Sequence, residues 1–211
     1  MPIPSLIAVA GLIGVGKTTL AQQLSRLLSA HLILEEYDKN PFLPRQLTGE
    51  TTAALPSELF FLLSRARQLD PNNIDPAQTC ICDYIFAKNR IYARMFLSDH
   101  QFSIYDEVES LIAPHLTPPS VVIYLTNSIE TCHSRILSRG REFEQTITPD
   151  WLSRLSRAYD SLFQHWSICP LLRLDCCSLD LRLPETAKDV AQQLIRSKAT
   201  FSHPLPLTDN P

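Results

Sequence analysis

Gly11-Leu12-Ile13-Gly14-Val15-Gly16-Lys17-Thr18 follows the spacing G-x-x-x-x-G-K-[ST], and a short apolar run, Leu6 to Ala10, leads into it. Behind it, Thr18 to Leu28 places leucines at 20, 24, 27 and 28, which is the spacing of one helical face. Strand, glycine loop and helix in that order form the context in which this motif wraps phosphates. The glycines let the backbone come close, successive N–H groups and the helix N-terminus supply positive potential, the lysine reaches the β and γ phosphates, and the threonine hydroxyl can hold Mg²⁺. Gly11, Gly14, Val15, Gly16, Lys17, Thr18 and Thr19 are therefore the expected nucleotide-phosphate site. Three of the chain's five glycines fall inside this stretch.

Outward from the loop, strands and helices alternate. His31 to Leu34 reads as a second strand, ending at Glu35 and Glu36, and Asn40, Pro41, Pro44 and Gly49 mark a loop. A helix is expected from Ser57 to Leu69, a strand from Thr79 to Cys82, and helices from Tyr84 to Leu97 and Phe102 to Ala113. Val121 to Leu125 is an unbroken apolar run, suited to a parallel sheet covered on both faces. Helices at Ile129 to Ser138 and Trp151 to Phe163, a strand at Leu171 to Leu174 and a helix at Pro184 to Ser197 follow. The expected fold is a single α/β domain over 1–197, with a five-stranded parallel sheet flanked by helices in three layers. Residues 198–211 carry three prolines and no periodicity, and are expected to be a mobile tail.

The composition excludes several alternatives. With 19 Lys plus Arg against 22 Asp plus Glu, the net charge of −3 gives no basic footprint for polymeric nucleic acid. No apolar run approaches the roughly 20 residues of a membrane span, and Met1 to Ala10 lacks the features of a signal peptide, so a cytoplasmic protein is expected. The six cysteines contain no C-x-x-C pair and are expected to be buried free thiols.

A phosphate loop alone names no reaction, so the acceptor must be read from charges elsewhere. Glu35 ends the second expected strand and Asp83 the third, at the sheet edge facing the phosphates, where a carboxylate accepts a hydroxyl proton or binds Mg²⁺, directly or through water. Arg135, Arg139 and Arg141 lie around the end of an amphipathic helix and its Gly140 turn, with Glu144 just beyond. Guanidinium groups closing over a transferred phosphoryl stabilise the charge spread over its oxygens.

Together these pieces resemble the deoxynucleoside kinases, and within them the bacterial deoxyguanosine and deoxyadenosine kinase branch, over nearly all of residues 5 to 195. Glu35 followed by Asn40-Pro41-Phe42-Leu43 is similar to the family's Glu, four residues, then Asn-Pro-Tyr-Leu. Glu58 to Arg65 resembles its base-binding helix, Asp83-Tyr84 stands at its acidic-Arg-Ser motif, and Arg135 to Glu144 with Ile147, Trp151 and Leu152 resembles its arginine-rich lid. The resemblance implies ATP as donor with Mg²⁺, a small deoxynucleoside as acceptor, Glu35 as catalytic base and a homodimer. It also implies Lys17, Arg135, Arg139 and Arg141 as catalytic groups, Glu144 near the sugar, and Thr18 with Asp83 at the metal. The chain departs from the pattern at Tyr84, where many members carry Arg, at Leu47, where a Tyr meets the sugar, and at Glu58, where many carry Gln.

Glu58, Phe61 and Arg65 share a helical face. On the family's geometry, Phe61 packs near the base while Glu58, Arg65 and Asn89 meet its polar edge. An ionised Glu58 only accepts hydrogen bonds, which suits guanine and makes deoxyguanosine the expected acceptor. A nucleoside monophosphate kinase of thymidylate kinase type is the nearest alternative. It needs a basic grip on the acceptor phosphate, for which residues 36 to 50 offer Lys39 and Arg45. A nucleotide-binding protein without catalysis is the alternative from another class.

Overall fold

The computed structural model describes residues 6–201. Its sheet has the order β2-β3-β1-β4-β5 with every pairing parallel. The strands are β1 (Leu6–Gly11), β2 (His31–Ile33), β3 (Cys80–Cys82), β4 (Val121–Thr126) and β5 (Leu171–Asp175). All six residues of β1 are buried, as an unalternating apolar run requires when helices cover both faces. From β1 the chain builds one side of the sheet with β2 and β3, then the other with β4 and β5. The switch opens a crevice at the carboxyl end of β1, where the glycine loop lies.

The helices are α1 (Lys17–Leu28), α2 (Leu43–Leu47), α3 (Thr51–Gln68), α4 (Lys88–Phe96), α5 (Asp99–Ile112), α6 (Ile129–Arg139), α7 (Pro149–Gln164) and α8 (Pro184–Phe201). The α/β order is as expected, and four departures in its boundaries matter most. The expected loop at 40–49 contains α2, with Pro44 in its first turn, where no N–H is needed. Helix α3 starts at Thr51 rather than Ser57, because Pro56 lies near enough to the N-terminus to forfeit only one helical hydrogen bond. Helix α4 starts at Lys88 rather than Tyr84, since Tyr84 and Ile85 are buried in the core as the chain turns out of β3. Helix α8 runs on to Phe201, into the stretch expected as a tail from 198, and 202–211 lie outside the described residues.

Two caps fix the ends of the arginine segment. Ser128 starts α6 by accepting from the Thr131 N–H, and Thr148 starts α7 by accepting from Trp151 N–H. Between them, Gly140 ends α6 at φ +69°, a conformation that suits glycine. All six cysteines are free; four are buried, Cys169 is half-buried and Cys177 is exposed. Among the described residues no helix is long and apolar enough to cross a membrane.

Candidate active site

A cavity of about 970 Å³ opens over the glycine loop and is walled by α2, α3, the start of α4, the arginine segment and the stretch after β5. Gly14 has φ +81°, and a Cβ there would run into the Cys132 carbonyl at the start of α6. Only glycine lets the loop pass that close. Lys17 Nζ donates to the Leu12 carbonyl across the loop at 2.8 Å. Burial, and then the Lys88 ammonium, push the Lys17 amine down to about 8. Arg135 Nη1 donates to the Val15 carbonyl at 3.1 Å, so this arginine is fastened to the loop itself. Residues 177–182, after β5, complete the wall, with Leu181 against Gly16. Sequence reasoning missed this stretch, which has neither motif nor periodicity.

The register of β2 on β3 pairs Ile33 with Cys82, which sets Glu35 and Asp83 side by side. Asp83 Oδ1 accepts the Glu35 backbone N–H at 2.9 Å, and Asp83 Oδ2 accepts the Thr18 hydroxyl. A hydroxyl and a carboxylate meeting at the head of the phosphate loop fit Mg²⁺, which keeps most of its shell as water and nucleotide oxygens. No cluster of three His, Cys, Asp or Glu able to cage an ion occurs among the described residues, and such a site needs none.

Glu35 is the hub of a buried ionic cluster. Arg65 Nε donates to Glu35 Oε1 at 2.9 Å, and Lys88 Nζ lies 2.8 and 3.0 Å from its two oxygens. Burial opposes the charge, but Arg65 and Lys88 together hold the Glu35 carboxyl far below the ordinary carboxylate range. Glu36 faces away, bonded to Lys39 and Ser64. Arg65, expected at the base edge, is turned toward Glu35 and the Asn89 carbonyl oxygen instead. Asn89, expected at the base edge, is fully buried behind Arg65 and is not among the residues that line the cavity. Tyr84 is a core residue whose hydroxyl donates to Gln68 at 2.8 Å. Lys88 was not foreseen. Its signal was a lysine at a helix start, where the dipole disfavours a cation, five residues after a strand-end acid.

At the far end, Glu58 and Phe61 line the cavity from α3, and Gln46 and Leu47 line it from α2. Gln46 Nε2 donates to Glu58 Oε1 at 2.6 Å. Burial pushes the Glu58 carboxyl up to about 7. Burial thus works against the ionised Glu58 expected from the sequence and toward its protonated form. In the lid, Arg139 Nε and Arg141 Nη1 donate to Glu144 at 2.6 and 3.1 Å. Arg141 also lies 3.8 Å from the Tyr37 ring centre, and Thr146 Oγ1 donates to the Leu47 carbonyl at 3.0 Å. The lid thus rests on the α2 side of the cavity.

The Deoxynucleoside kinase family model matches residues 7–199. A deoxyguanosine kinase from Bacillus subtilis (strain 168) is 36% identical over 157 residues, covering 73% of this chain and 76% of that protein. A deoxyadenosine/deoxycytidine kinase from the same organism is 28% identical over 189 residues, covering 86% of this chain and 87% of that one. Among solved structures, deoxyadenosine kinase from M. mycoides with bound dCTP superposes with a TM-score of 0.77 at 23% identity, over 91% of this chain and 99% of that one, which shows the fold. With the family model spanning almost every described residue, and a phosphate loop, paired strand-end acids and an arginine lid converging on one cavity, this chain belongs to the deoxynucleoside kinase family.

Proposed function

We propose that this kinase transfers the γ-phosphoryl group of ATP to the 5′-hydroxyl of a deoxynucleoside, with purines favoured and deoxyguanosine first among them. The observation that carries the reading is the placement of Glu35, pinned by Arg65 and Lys88 beside the phosphate loop in a cavity with room for a nucleoside next to the donor phosphates. The wall between residues 36 and 50 consists of Tyr37, Leu43, Gln46 and Leu47, while Lys39 and Arg45 pair outward with Glu36 and Glu50. That wall suits an uncharged acceptor better than a monophosphate. The similarity to a deoxyguanosine kinase supports the purine preference, and the family resemblance supports a homodimer in the cytoplasm.

In this mechanism the loop amides and Lys17 hold the donor phosphates, and Glu35 accepts the hydrogen bond of the 5′-hydroxyl and aims its oxygen along the line of transfer. A carboxylate with so low a proton affinity takes the proton late, once the new P–O bond has made the hydroxyl acidic, as suits a loose transition state. Mg²⁺ held by Thr18 and Asp83 would neutralise phosphate charge. Arg139 and Arg141 exchange Glu144 for the phosphoryl oxygens, and Glu144 is then free for the sugar.

Two results are expected from this arrangement. Arg139→Gln lowers kcat by about 10²- to 10³-fold with little change in nucleoside KM, because the charge it meets is greatest in the transition state. Steady-state kinetics check this, and a raised KM with kcat intact contradicts it. Second, kcat/KM for ATP falls as pH rises through about 8, where free Lys17 loses its proton. A profile flat from pH 7 to 9.5 contradicts that role. The function itself is tested by supplying ATP, Mg²⁺ and a panel of nucleosides and monophosphates: deoxynucleosides should be converted, deoxyguanosine fastest. Consumption of monophosphates alone establishes the alternative kinase, and bound ATP with every acceptor untouched establishes a non-catalytic protein.

A further inference from the structure

The cavity end opposite the phosphate loop holds two side chains with an unfilled hydrogen-bonding capacity. Gln46 is 4% exposed and Glu58 1% exposed, and each has one buried oxygen without a partner, Gln46 Oε1 and Glu58 Oε2. Both residues line the cavity, and the bond between Gln46 Nε2 and Glu58 Oε1 joins them into one unit with those two oxygens left over. Buried polar atoms are rarely left unsatisfied, so the pair is built for a ligand edge. Seven residues of α3 separate Glu58 from Arg65 at the Glu35 end, about 10 Å at 1.5 Å per residue. That is the span from a 5′-hydroxyl to the far edge of a purine.

We propose that Gln46 and Glu58 together read the hydrogen-bonding edge of the base, and that the presence or absence of one proton on the pair decides which purine it takes. The inference rests on the nucleoside kinase reading above. Without the proton, the unit presents two acceptors, which match the N1–H and N2–H donors of guanine. With the proton on Glu58 Oε2, it presents a donor beside the Gln46 acceptor, which matches N1 and N6–H of adenine. The groups that act on Glu58 leave both states accessible. Arg65 on the same helix and Lys88 from α4 favour the carboxylate, while burial and Glu35 after β2 favour the acid. Tyr92 from α4 and Tyr105 from α5 also face it; both hydroxyls are raised by burial and stay neutral. Helix α2 brings only the uncharged Gln46 to the pair, and the lid arginines are turned to Glu144.

The test is the ratio of kcat/KM for deoxyguanosine to that for deoxyadenosine, measured in competition from pH 6 to pH 8. Every pH effect common to both substrates cancels in this ratio. If each purine takes one protonation state, the ratio rises tenfold per pH unit, about 100-fold across the range, and becomes flat in Glu58→Gln. Calorimetric binding to the wild-type protein at pH 7, in buffers of different ionisation heat, gives a second readout that needs no variant. Deoxyguanosine should release a fraction of a proton and deoxyadenosine should take up the complementary fraction, the two adding to about one. A wild-type ratio that stays flat, a slope that persists in Glu58→Gln, or binding of both purines without proton exchange overturns the inference while leaving the kinase reading intact. Phosphorylation of no nucleoside at all overturns that reading, and the inference with it.

Discussion

Lys17→Ala is expected to lower kcat/KM by about 10³-fold or more, at or beyond the upper end for losing one preorganised donor to a transferred phosphoryl group. The ammonium is half-buried at the mouth of the phosphate loop, and in the free protein it donates to the Leu12 carbonyl. Burial and Lys88 lower its proton affinity, so the folded protein holds this charge at a cost and gains it back when donor phosphates arrive. The same sign dictates a second outcome. Because folding disfavours the charged lysine, removing it should leave thermal stability unchanged or raised. Turnover and melting temperature measured on one sample check both, and a variant that loses stability in step with activity contradicts the account.

Glu35→Gln is expected to lower kcat by about 10²- to 10⁴-fold, the scale of a group that takes a proton from the attacking atom. It also leaves Arg65 and Lys88 without their shared counter-charge, and breaking a buried pair costs about 3 to 5 kcal/mol. Rates therefore have to be taken on folded protein. Glu35→Asp supplies the control, because it keeps the charge and withdraws the oxygens by one methylene, and should fold better than Glu35→Gln while losing much of its rate. The pH behaviour follows from the depressed carboxyl. Its stabilising ion pairs are fully formed above the ordinary glutamate value of 4.5 and are lost as pH falls towards the much lower folded value. Glu35 consequently adds no acid limb to activity above pH 5. Unchanged kcat with raised KM in Glu35→Gln would make the residue a binding group.

The sequence was most legible where chemistry is written in short spacing. Gly11 to Thr18 between a strand and a helix set the loop, and Glu35 and Asp83 fell together because they end adjacent parallel strands. What stayed hidden depends on tertiary approach. Lys88 reaches Glu35 only because the chain spends four residues in a turn before α4 begins. Gln46 reaches Glu58 only because α2 forms where Pro44 and Gly49 suggested a loop. The setting of Glu58 stayed hidden for a related reason, since burial is a property of the packed helices and raises a carboxyl that the sequence presents as ordinary. The wall at 177–182 carries no residue pattern, and only the end of β5 delivers it to the loop.

In the proposed reaction the γ-phosphoryl group passes to a nucleoside oxygen. ATP labelled with ¹⁸O at the terminal oxygens of its γ-phosphoryl group, incubated with this protein, Mg²⁺ and deoxyguanosine and followed by mass spectrometry, tests it most directly. The expected product is deoxyguanosine 5′-monophosphate carrying all the labelled terminal oxygens, formed in equal amount with ADP, because the nucleoside's own oxygen attacks and the bond to ADP breaks. Label recovered only in inorganic phosphate, with deoxyguanosine unchanged, would contradict it.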